Sequence, residues 1–118
     1  METLTEHTGL KAELWFSFVS MLRSYAAAAS LHAGEVRVNA VGDSVTITAF
    51  ATQLEMHFDH ESGNVIWEKR MVRQVPVSGS FTIQPEGTIH HSGTTKDLDH
   101  AAIDFIASVT EIAKGGHA

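Results

Sequence analysis

At 118 residues, with 43% apolar and 19% charged side chains, the chain fits one domain with a buried core and excludes both disorder and two full-sized domains. The absence of cysteine removes disulfide scaffolds, thiolate metal sites, iron–sulfur clusters and cysteine nucleophiles together, and fits a reducing, cytoplasmic setting. Fourteen acids against eight Lys plus Arg leave a net charge of −6, so a nucleic-acid partner would need a local basic patch.

From Leu10 to about Leu31 the apolar spacing is helical, with Leu14, Phe18, Leu22 and Tyr25 on one line and Trp15, Val19, Leu22 and Ala26 on its neighbour. Thr8 is the expected N-cap and Gly34 the expected stop. The polar side is narrow and almost uncharged, consisting mainly of Glu13, Ser17, Ser20 and Ser24. Such a stripe calls for cover either by more of its own domain or by a second copy of the chain, and the alanine run Ala26 to Ala29, where another backbone can approach closely, favours the second copy.

After Gly34 the period becomes two. Val36, Val38 and Ala40 lead to Gly42-Asp43, read as a type II′ hairpin turn that sets Val41 against Ser44, Val38 against Ile47 and Arg37 against Thr48. The apolar positions are odd through Val45, Ile47 and Ala49 but even at Leu54, Met56 and Phe58. With neither Gly nor Pro between Phe50 and Gln53, a β-bulge bending one long strand is favoured over a tight turn. Glu61-Ser62-Gly63-Asn64 is the next turn, and symmetric pairing about it sets Phe58 against Trp67, His57 against Glu68, Met56 against Lys69 and Glu55 against Arg70.

Val75-Pro76-Val77-Ser78-Gly79 interrupts the pattern before Phe81 and Ile83. Pro85-Glu86-Gly87 reads as a three-residue hairpin loop, with Ile83 against Ile89, Thr82 against His90 and Phe81 against His91. Ser92-Gly93 closes this hairpin, and Thr94 or Thr95 caps a second helix whose core stripe is Leu98, Ala102, Phe105, Val109 and Ile112, ended by Gly115-Gly116. The expected fold is a single α+β domain over 1–118: an N-terminal helix, an antiparallel meander of about five strands, and a C-terminal helix, with both helices on one face of the sheet. This order is similar to that of frataxin-like domains at the level of topology. The acidic ridge that binds iron in that family is reduced here to Glu13 and to Glu35 beside Arg37, so the resemblance assigns no residue.

Eight histidines are the compositional oddity. His57 and Asp59 alternate with Glu55 on the outer side of a strand, which with Glu68 and His90 from neighbouring strands makes a ligand or divalent-metal site geometrically feasible. A solvated face of cross-strand charge pairs explains the same residues without a metal. His91 should turn toward the core near Phe81 while His90 faces out. Asp97, His100 and Asp104 share a helix stripe with Glu111, the usual look of a solvated face. The aromatics, Trp67, Phe81 and Phe105 among them, read as core, with a ligand cavity between sheet and helices as the alternative.

No Gly-x-Ser-x-Gly elbow, phosphate loop or serine with an identifiable base is found, so no catalytic residue is assigned and no cofactor is expected. Lys69, Arg70 and Arg73 are a weak basic patch, which argues against nucleic acid. The acidic start, Met1 to Glu6, lacks the pattern of a secretory signal, and no apolar run is long enough to span a membrane. The expectation is a cytoplasmic, non-enzymatic association module that forms a homodimer through its first helix. The competing reading is a small-ligand or metal-binding domain, with an enzyme as one form of it, that uses Glu55, His57, Asp59, Glu68 and His90.

Overall fold

The computed structural model describes residues 2–91 and 93–115, with side chains described for 12–31, 34–91 and 93–110. Two helices, α1 (Glu2–Ala33) and α2 (Leu98–Gly115), pack on one another and on the same face of a single antiparallel sheet. The sheet is a simple meander of seven strands in chain order: β1 (Val36–Val41), β2 (Ser44–Ala49), β3 (Thr52–Phe58), β4 (Asn64–Met71), β5 (Val77–Ile83), β6 (Thr88–His91) and β7 (Thr94–Asp97). The expected α+β architecture is therefore present, with seven strands where about five were expected.

The helix-facing side of the sheet is built by period-two alternation. Val45, Ile47, Leu54, Met56, Val65, Phe81, Ile83 and Ile89 are buried against Trp15, Phe18, Leu22 and Ala26 of α1 and against Leu98, Ala102, Ile106 and Val109 of α2. Phe58 stacks on Trp15 with ring centroids 5.1 Å apart, and Phe18 meets Phe81 and Phe105 edge-on. The α1 stripe falls where the helical spacing put it. Ile112 of the expected α2 stripe, like Glu111 and Gly116, lies outside the described side chains or residues.

The turns explain where reading the chain succeeded. Gly34, with φ +85°, ends α1, and the Ser30 hydroxyl accepts the Val36 N–H at 2.9 Å, fixing how β1 leaves the helix. The β1–β2 hairpin has the expected register, Val41 with Ser44, Val38 with Ile47 and Arg37 with Thr48. Positive φ at Gly42 and not at Asp43 matches its type II′ turn. The loop at 85–87 likewise closes on Gln84 and Thr88, which pairs Ile83 with Ile89 and Thr82 with His90.

Five expectations change. The break expected at Val75 to Gly79 ends at Pro76, since β5 runs from Val77 and pairs Val77, Ser78 and Gly79 with Lys69, Glu68 and Trp67. The bulge at Phe50 to Gln53 is a tight turn: Ala49 pairs with Thr52, and Phe50 takes the left-handed position with φ 53° that glycine usually fills. A two-residue turn reverses the parity of the inward positions, which is why β2 buries odd and β3 even residues.

The loop between β3 and β4 lies one residue earlier than Glu61–Asn64. Asp59 N–H bonds to Asn64 C=O at 2.8 Å, and the Asp59 carboxylate accepts the Glu61 N–H at 3.0 Å and the Ser62 hydroxyl at 2.9 Å. Gly63 then supplies the positive φ of 79° at the last loop position. Phe58 therefore pairs with Val65, Met56 with Trp67, His57 with Ile66 and Glu55 with Glu68.

Thr94 and Thr95 do not cap α2; they belong to β7, and Asp97 is the cap, accepting the His100 N–H at 3.0 Å. Finally, α1 already runs through Thr8, so that residue is not its N-cap.

Candidate functional site

The outer face of the sheet carries the residues singled out from the sequence. Glu55 and Glu68 stand directly opposite one another on β3 and β4, an arrangement of like charges that needs compensation. It receives it from two sides. Arg70 donates to Glu68 at 2.8 Å, and His57 Nε2 lies 3.3 Å from a Glu55 carboxylate oxygen. The two carboxylates hold the Arg70 guanidinium above its ordinary range, Glu68 by its hydrogen bond first and by charge second.

His57 has a second partner that the sequence reading missed. Ser44 pairs with it across β2 and β3, and its hydroxyl lies 2.8 Å from His57 Nδ1. With Nε2 facing Glu55, the consistent tautomer is Nε2–H, so Nδ1 accepts the serine proton. A hydroxyl, an imidazole and a carboxylate thus stand in line, the parts of a nucleophile and its base. They lie on a largely solvent-facing side of the sheet, where water competes for each bond, and Ser44 lies outside the lining of the clefts found among the described residues.

The other outer-face candidates are held elsewhere. Asp59 is committed to the β3–β4 turn, where the Ser62 hydroxyl first and the Glu61 N–H second hold its carboxyl below the usual range. His90 faces outward beside Thr95, its Nδ1 3.4 Å from that hydroxyl. Three strand steps separate β6 from β3, roughly 14 Å, so His90 and His57 cannot share a small ion. Among the described residues no three His, Asp or Glu side chains converge into a set that could hold a metal. Asp97 and His100 are tied to one another at the α2 cap, whereas Asp104 pairs with Lys96. Lys69 points inward to Ser108, Arg70 outward to Glu68, and Arg73 sits in the following loop, so the three cations form no common patch.

A cleft of about 410 Å³ opens on the helix-facing side, between α2 and the strands β4 to β7. Its floor is Trp67, Phe81, Ile89 and Phe105, with Trp67 and Phe105 edge to face at 6.1 Å. His91 turns to this side of the sheet, as its strand position requires, and stands exposed at the rim. The aromatics expected as core are in part the wall of a cavity.

The third feature is the outer side of α1. Glu13, Phe16, Ser17, Ser20, Ser24, Ala27 and Leu31 are all exposed, Phe16 at 56% and Leu31 at 80%. Comparison with protein-family models, with curated proteins and with solved structures gives no match to this chain.

Proposed function

We propose that the chain is an association module that pairs with a second copy of itself through the outer seam of α1. The observation that carries this reading is spacing combined with exposure. Glu13, Ser17, Ser20, Ser24, Ala27 and Leu31 follow one another at four, three, four, three and four residues, the rhythm of a helix-pairing seam, and every one is exposed. Small side chains along it let two backbones approach closely.

The seam is also self-complementary. Antiparallel two-fold pairing centred on Leu22 sets Ser20 against Ser24 and Ser17 against Ala27, small side chains on small ones. Glu13 then meets Leu31, and no pair of like charges is created along the seam.

Light scattering coupled to size exclusion tests the proposal. The expected mass is twice 12.8 kDa, or 25.6 kDa. Ser24→Arg, which places two cations near the two-fold axis on an exposed position, should return the mass to that of the monomer without changing the far-ultraviolet circular dichroism. A wild-type chain that stays monomeric at high micromolar concentration overturns the reading.

A further inference from the structure

We propose that the cleft between α2 and β4 to β7 binds a small aromatic carboxylate. Its volume of about 410 Å³ lies in the range of small-ligand pockets, and its floor of Trp67, Phe81 and Phe105 presents ring faces and edges suited to a planar apolar body. This goes beyond self-association, which uses α1 and leaves the cleft open.

The polar groups at one end specify the headgroup. Lys69, half-buried beneath α2, donates from Nζ to the Ser108 hydroxyl at 2.8 Å. Because that oxygen accepts from an ammonium, the Ser108 proton is free to point away from it, and the neighbouring charge strengthens it as a donor. Ser108 lines the cleft, so a charge-assisted donor backed by a cation stands at the end of an aromatic slot. That combination selects an anion in a chain whose net charge is −6. The second cation at the mouth, Lys96, is neutralised by its ion pair with Asp104, so the headgroup belongs at the Ser108 end.

Asp104 gives the proposal a distinctive sign. It is the carboxylate lining the cleft, and its charge opposes that of the ligand while occupying Lys96. Removing it should tighten binding of a carboxylate and leave a neutral aromatic unaffected.

The test is titration with cinnamate, and with cinnamyl alcohol as its neutral counterpart, followed by calorimetry and by the indole N–H resonance lost in Trp67→Phe. Cinnamate should shift that resonance saturably and bind about tenfold more tightly than the alcohol. Ser108→Ala and Lys69→Met should each weaken cinnamate about tenfold, while Asp104→Asn should strengthen it. Should either of the first two variants fail to fold, Asp104→Asn and the comparison of the two probes on the wild-type chain decide the matter. Equal affinity for acid and alcohol, a tighter complex that Asp104→Asn does not produce, or no shift of the Trp67 resonance at millimolar cinnamate overturns the proposal.

Discussion

Gly79 is the position where the cleft wall can be perturbed with least chemistry. It pairs with Trp67 across β4 and β5, and the Nε1–Cε2–Cζ2 edge of the indole lies over it. A Cβ at this position would stand 2.6 Å from Trp67 Cζ2 and 2.9 Å from Cε2, well inside contact distance. Overpacking of this kind costs about 1–3 kcal/mol, whereas exchanging a strand glycine for alanine by itself gains roughly 0.5–1 kcal/mol through lost backbone freedom in the unfolded chain. Gly79→Ala should therefore destabilise by about 0–2.5 kcal/mol, centred near 1 kcal/mol or several degrees in Tm for a domain of this size. In a Trp67→Leu background the obstacle is gone, and the same substitution should stabilise. Urea denaturation of the wild type, the two single variants and the double variant reads out this reversal of sign. If Gly79→Ala has the same effect in both backgrounds, the ring is not what excludes the methyl group, and the description of the cleft wall is wrong.

Phe50 holds φ at 53° in the β2–β3 turn while its ring stays largely exposed, so Phe50→Gly should raise stability by about 1 kcal/mol; a lower Tm would mean that the ring's contact with Gly34 outweighs the backbone strain. The Asp97 carboxyl is held below its ordinary value by the His100 N–H first and the His100 ring second. Its stabilisation of α2 is therefore complete above the unfolded carboxyl range near pH 3.9 and is lost as pH falls through the lower folded value. Asp97→Asn keeps a neutral cap, so the difference in Tm between it and the wild type should shrink on acidification; an unchanged difference between about pH 7 and about pH 3 would refute the assignment of the cap. The pairing proposed through the almost uncharged α1 seam would set two copies of net charge −6 against one another, so added salt should raise the dimer fraction measured by light scattering. An assembly held by the ion pairs of the outer sheet face would weaken instead.

What the sequence disclosed depended on how each turn announces itself. Gly42-Asp43 and Pro85-Glu86-Gly87 carry residues whose backbone preferences name the turn, and the registers on either side follow. Phe50-Ala51 makes the same kind of two-residue turn with no such residue, and only the switch from odd to even apolar positions betrays it. The same parity switch accompanies Gly42-Asp43, so read consistently it would have split the long strand in two. At Asp59 the missing information was a side chain: an aspartate that folds over the loop and caps it moves the pairing by one residue on each side. Asp97 repeats the lesson at the start of α2, where Thr94 and Thr95 satisfy the usual capping preference equally well but are drawn into β7.

Those local choices decided how much of each surface was legible. The exposed seam of α1 was readable because a helix carries its neighbours at fixed offsets within one segment. The Ser44 contact with His57 was not, since it depends on the β2–β3 register that the Phe50 turn creates. The cleft lies one step further out of reach. Its floor comes from β4, β5, β6 and α2, and Lys69 and Ser108 meet across 39 residues of chain. Period two places Trp67, Lys69 and Phe81 on the inward side, and period 3.6 places Phe105 and Ser108 on neighbouring parts of α2. Neither period says that the helix stands far enough from the sheet at that end to leave a slot. Trp67 itself marks the gap: its indole lies across Gly79, the one inward position of β5 without a side chain, with the Nε1 proton buried and unpartnered among the described residues.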